Sequence, residues 1–91
     1  MPAVKFTTHL EKFFPGVTKG VSVEAQTVAE VVSQLDQRFP GLAAYLVDEQ
    51  GALRKHVNIF VDDNLIHDRQ HLTDPLTAAN RIYIFQALSG G

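Results

Sequence analysis

The stretch of this chain best suited to chemistry is its end, Arg81 to Gly91 (RIYIFQALSGG), where an apolar run passes directly into Ser89-Gly90-Gly91. Two glycines without Cβ atoms leave only backbone and a final carboxylate at the tip, and they accept backbone angles closed to other residues. Extended, residues 89–91 span roughly 10 Å, enough to enter a narrow pocket while the body of the domain stays outside. This pattern points to chemistry on the Gly91 carboxylate, with Gly90 and Ser89 as the threading segment. The alternative is a frayed glycine-rich terminus.

Other candidate groups carry less. His67 and His71 have the i, i+4 spacing of a helical metal pair, but Arg69-Gln70 lies between them and no apolar stripe marks a helix there. Both are read as surface histidines, and no metal site is expected. Asp62-Asp63-Asn64 lacks the distal Glu of a calcium loop and reads as a solvated turn. Lys19-Gly20 belongs to no GxxxxGK[ST] phosphate loop, so no nucleotide is expected to be bound by this chain. Ser89 has no neighbouring base to make it a nucleophile. Cysteine is absent, which removes disulfides, thiolate ligands and a cysteine nucleophile together.

The elements that must position the end follow from periodicity. Ile82-Tyr83-Ile84-Phe85 suits a central strand covered on part of both faces. Ala3 to Thr8 alternates, with Val4 and Phe6 on one side and Lys5 and Thr7 on the other. Residues 9–20 form a long connection with turn signals at Pro15-Gly16 and Lys19-Gly20, whose Leu10, Phe13 and Phe14 tuck over an open end of the core. Val21 to Ala25 alternates again and predicts a strand antiparallel to the first.

Thr27 to Phe39 is the clearest helix. Thr27 is a good N-cap with Glu30 three residues on, and Val28, Val31, Val32, Leu35 and Phe39 make one stripe that Pro40-Gly41 ends. A short helical turn is expected over Leu42 to Val47, a turn at Gly51, and a strand over His56 to Val61. Leu65-Ile66 reads as a short edge strand, and Leu72 and Leu76 as anchors of the irregular segment 67–80.

The result is an α+β domain over residues 1–88: a mixed sheet of four to five strands, one main helix on one face, and a tail at 89–91. With Val57, Ile59 and Val61 toward the helix, Phe60 faces away. If Ile82 and Ile84 do likewise, Tyr83 and Phe85 join Phe60 on the open sheet face. Aromatics gathered there mark a partner-docking surface, unless the Phe13-Phe14 loop or residues 42–55 cover them.

Bulk properties exclude several classes. A 91-residue chain that is 45% hydrophobic and 20% charged makes one folded domain. Net charge −2 without a Lys/Arg block gives no phosphate-binding stripe, so nucleic acid is not an expected partner. No apolar run reaches the roughly 18 residues of a membrane span, and the first residues lack a signal-peptide plan. A cytoplasmic protein is the expectation.

In order, the capped helix TVAEVVSQLDQRFP, the segment HVNIFVDDNLI and the strand ending LSGG resemble the prokaryotic ubiquitin-related sulfur carriers. This MoaD/ThiS-like group includes the small subunit of molybdopterin synthase and the thiamin sulfur carrier. The 42–55 insertion is more similar to the molybdopterin-synthase and cysteine-biosynthetic carriers than to the thiamin type. The turn before the last strand departs from the pattern, with Ala78-Ala79-Asn80 where an Asp-Gly-Asp-like sequence is usual.

The resemblance implies a ubiquitin-like β-grasp fold and a carrier that is a protein co-substrate, not a stand-alone enzyme. It implies that a ubiquitin-activating-type adenylyltransferase spends ATP on the Gly91 carboxylate and that a sulfur donor converts it to a thiocarboxylate. The sulfur then passes to an acceptor enzyme, a molybdopterin synthase large subunit or a cysteine synthase. Two alternatives stay open: a ubiquitin-like modifier joined through Gly91 to lysines, and a β-grasp interaction module whose Gly-Gly is incidental.

Overall fold

The computed structural model describes residues 2–6, 14, 16 and 20–86, with Gln86 described by its backbone alone. The elements run β1 (Ala3–Phe6), β2 (Val21–Ser22), α1 (Val28–Arg38), α2 (Leu42–Leu46), β3 (Val57–Val61), β4 (Asn64–Leu65) and β5 (Arg81–Gln86). They form one five-stranded mixed sheet in the order β2-β1-β5-β3-β4. The apolar β5 therefore takes the centre, parallel to β1 and antiparallel to β3.

The period of two sorts each strand into faces. Val4, Val57, Ile59, Ile82 and Ile84 are buried on one side, where they join Val28, Val31, Val32 and Leu35 of α1 in a single core. All the fully covered large side chains are aliphatic, and no polar or charged residue is buried among the described residues. Leu42 and Leu46 bring α2 into the same core, and Phe39 closes the helical stripe as a half-buried residue.

The start of α1 is capped as expected at Thr27, whose Oγ1 accepts the Glu30 N–H at 3.2 Å. The reciprocal arm differs: Glu30 Oε1 accepts from Gln26 N at 2.7 Å, one residue before the cap. The next free N–H groups, of Val28 and Ala29, donate to the carbonyls of Asp74 and Leu72. The irregular segment thus satisfies the helix N-terminus that α1 cannot satisfy itself. Leu72 and Leu76 anchor that segment in the core. At the other end, Asp36 Oδ1 accepts from Gly41 N and Ala43 N. Gly41 there takes φ +97°, which glycine alone adopts without cost.

Three strands depart from the sequence expectation, β3 by beginning at Val57 instead of His56. β2 stops at Ser22 instead of Ala25, with its next contact running from Val23 N to the Pro2 carbonyl at 3.1 Å. Pro2 has no N–H to return, so the ladder cannot continue. β4 begins one residue earlier than Leu65-Ile66, at Asn64, because the turn uses only Asp62 and Asp63. Asp62 takes φ +55°, and its N–H donates to the Arg81 carbonyl at 2.7 Å. Its carboxylate accepts from Arg81 N at 3.0 Å and from Asn80 Nδ2 at 2.7 Å. The hairpin tip is thereby tied to the start of β5. Asn80 also closes its own turn, accepting from Thr77 N at 2.7 Å, so the departure at Ala78-Ala79-Asn80 keeps a side-chain-braced turn.

Candidate functional site

Cα pairing across the sheet puts one residue of each of four strands in a row. Leu65 of β4 stands opposite Phe60 of β3, Phe60 opposite Tyr83 of β5, and Tyr83 opposite Lys5 of β1. Directly paired residues share a face. Val4, Ile59, Ile66, Ile82 and Ile84, next to them along the chain, are buried in the core, so the row lies on the open side. One step along, Phe85 pairs with Asn58.

The three aromatics expected on the open face are brought together there. Phe60 and Phe85 meet edge to face with centroids 5.8 Å apart, and Tyr83 lies parallel to Phe85 at 6.3 Å. These are favourable ring geometries, which hold the cluster in shape without burying it. Phe60 and Tyr83 are half-buried, while Phe85 is 44% exposed. Leu65 is 49% exposed, and these two are the large exposed apolar side chains among the described residues. Both belong to the same open face.

The segments that could have covered this face do not cover Phe85. Phe14 packs edge to face on Tyr45 of α2 at 5.9 Å, on the helical side of the molecule. Leu10 and Phe13 lie outside the described residues. Residues 42–55 turn back on themselves instead: Val47 bridges Leu53, and Asp48 Oδ1 accepts from Gln50 N and Ala52 N.

Ser89, Gly90 and Gly91 also lie outside the described residues. Gln86, the last residue of β5, is paired with Val57, the first of β3. His67 and His71 are both exposed in a run of turns, not on a helix. No group of three metal-ligating side chains occurs among the described residues. No helix among them is long and apolar enough to cross a membrane.

Two features of the face escaped the sequence reading. The alternation places Leu65 in an edge strand without setting it opposite Phe60; a two-residue hairpin loop at Asp62-Asp63 is what pairs them. Alternation sets Lys5 on the opposite face from Val4, yet its position beside Tyr83 depends on the parallel β1–β5 register, which local sequence does not carry. Asp68, the one carboxyl among the described residues held well below its ordinary value, is remote in role. The Thr73 hydroxyl first, then the His71 backbone N–H, lower it to about 2, with Thr73 N and Gln70 N also donating. Asp74 braces the same segment from His67 N and Asp68 N. Both act as loop braces.

A helix laid across a mixed five-stranded sheet, its central last strand parallel to the first, defines a ubiquitin-like β-grasp protein. The chain belongs to the ThiS family, whose sequence profile matches residues 4–91. Sulfur carrier protein CysO of Mycobacterium tuberculosis is 30% identical over 78 residues, 84% of each chain. The chain is also similar to one in the crystal structure of the Amycolatopsis orientalis BexX/CysO complex, at 26% identity, full coverage of both chains and TM-score 0.85. SAMP1 from Haloferax volcanii shares the fold at TM-score 0.75 and 22% identity, over 98% of this chain and 97% of that one. The sequence relatives are thus sulfur carrier proteins.

Proposed function

We propose that this protein carries sulfur as a thiocarboxylate on Gly91 and acts as a co-substrate for partner enzymes. The observation that carries this reading is family membership extending through the Gly90-Gly91 end. A carboxylate is a poor electrophile, so it must first be activated. The Gly91 carboxylate oxygen attacks the α-phosphorus of ATP held by a ubiquitin-activating-type adenylyltransferase, and pyrophosphate leaves. A sulfur nucleophile then attacks the acyl carbon of the mixed anhydride, AMP leaves with the C–O electron pair, and a thiocarboxylate remains. Its sulfur passes to an acceptor enzyme. Likeness to CysO favours a cysteine-synthase type of acceptor over a molybdopterin synthase large subunit.

The chain's own part is recognition and reach. Phe60, Tyr83 and Phe85, with Leu65 beside them, dock the body on the partner. Ser89 and Gly90 carry the carboxylate inward, where a Cβ would collide with a channel wall. A displacement of about 1 Å at the reacting atoms is enough to cost on the order of 10²-fold in rate. Gly90 is therefore as important as Gly91, although its atoms do not react.

Intact mass after incubation with the cognate activating enzyme, ATP and a sulfide source tests this. The expected product is heavier by the exchange of one oxygen for sulfur. Removing Gly91 abolishes both that gain and ATP–pyrophosphate exchange, with the circular dichroism spectrum unchanged. Isopeptide adducts to lysines would establish the modifier reading instead. An unchanged mass with normal exchange by the truncated chain would overturn both.

A further inference from the structure

The pairing of Gln86 with Val57 brings the end of β5 to a corner rich in cations. Arg54, Lys55 and His56 run directly into Val57, and Lys55 and His56 are exposed. Arg69 reaches the same corner from the irregular segment. Its Nη2 donates to the carbonyls of Arg54 and Val57, both at 2.9 Å, and its Nη1 to Asn58 Oδ1 at 3.2 Å. Leu53 N in turn donates to the Arg69 carbonyl at 2.7 Å. Arg54 Nε rests on the Ala44 carbonyl at 3.0 Å.

All these acceptors are neutral. The two guanidinium groups are fixed in place without their charge being cancelled, and Lys55 has no partner among the described residues. Asp48 lines the same groove and Glu49 an adjoining one beside Arg54. Asp48 is engaged by the N–H groups of its own turn. The far end of the sheet instead carries Asp62 and Asp63 at the hairpin tip, with Arg81 beside them at the start of β5. In a chain of net charge −2, the basic corner is the one at which β5 ends.

We propose that Arg54, Lys55 and Arg69 form a collar for a protein partner whose channel mouth carries Asp and Glu side chains; this rests on the carrier reading above. Reach argues against the other anionic candidate, the reacting groups themselves. Five extended residues span about 17 Å, whereas charge interactions in solution fade over about 8 Å at physiological ionic strength. The collar therefore acts on the rim of the partner, not on the Gly91 carboxylate or on ATP. Complementary charge at a rim speeds productive encounter and sets orientation more than it changes the chemical step. Guanidinium groups already held by backbone carbonyls need no reordering to do so.

The test is steady-state ATP–pyrophosphate exchange by the purified cognate activating enzyme with the full chain as the varied substrate. Lys55→Glu should raise KM about tenfold at about 0.05 M salt with kcat unchanged, and the ratio should shrink below about threefold at about 0.5 M. Arg38→Glu, at the exposed last turn of α1, should change KM less than about twofold. Equal KM values for the two variants, or a salt-independent loss of kcat in Lys55→Glu, would overturn the collar alone. Failure of the wild-type chain to support exchange would overturn the carrier reading and the collar with it.

Discussion

Within four consecutive residues, β5 serves two different environments. Ile82 and Ile84 are fully covered by α1 and its neighbours, while Tyr83 and Phe85, on the reverse of the same strand, remain partly or largely open. The fully covered side chains of that side are all aliphatic, with Phe6 and Phe39 half-buried at their margin, and no polar residue is buried among the described residues. The open side has aromatic rings that contact one another, a paired Leu65 and a cation at Lys5. The difference matters because aliphatic packing is cheap to order and fills space densely. Aromatic rings instead supply large, stiff contact area with little rotamer entropy to lose on binding. One face holds the fold, and the other is the face we propose a partner covers.

The strongest challenge to that division is truncation on the buried side. Ile84→Ala removes atoms from a fully covered site at the centre of the sheet, so it should cost about 2–5 kcal/mol. Urea denaturation measures it directly. A loss below about 1 kcal/mol would mean that β5 is not the keystone of the core.

The open side should respond in reverse. Phe85→Glu is a surface change and should alter stability by less than about 1 kcal/mol. It should raise KM for the activating enzyme about tenfold or more, because a charge would sit in the centre of the docking patch. Phe60→Ala should fall between, its ring being half-buried. A stability loss of about 3–5 kcal/mol for Phe60→Ala, the cost of truncating a core aromatic, would place it in the core and break the comparison.

Much of this two-sidedness was legible because alternation is local. Val57 and Ile59 in HVNIFV, and Ile82 and Ile84 in RIYIF, declare their side within a few residues. The capped stripe of α1 declares what covers them. Pairing was less legible, because it depends on single distant groups. Pro2 ends the β2 ladder by lacking one N–H, and the left-handed Asp62 shifts β4 by one residue. Arg69 is the extreme case. Nothing in HDRQHL distinguishes a solvated arginine from one that links residues 54, 57 and 58. Only the path of the irregular segment brings it there. The Ser89-Gly90-Gly91 end rests on sequence and family alone.

The smallest effect expected concerns acid, and it separates both faces of the sheet from the segment that braces them. An all-aliphatic core has no group to protonate, so acid should not attack it first. The Asp68 carboxyl is different: the Thr73 hydroxyl and the backbone N–H of His71 hold it at about 2, against an ordinary 3.8. A folded-state value below the unfolded one means that its contribution is complete above pH 3.8 and declines as pH falls toward about 2. Residues 67–76 should therefore loosen in that window before the sheet does. Hydrogen exchange at stepped pH should show the His71 and Thr73 amides losing protection first, while those of Ile82 and Ile84 keep the protection of global unfolding. Asp68→Ala should show the loosened segment already at neutral pH and remove the step. If Ile84 loses protection at the same pH as Thr73, the segment and the sheet open as one unit. The helix N-terminus that the Leu72 and Asp74 carbonyls satisfy would then be the point through which acid reaches the core.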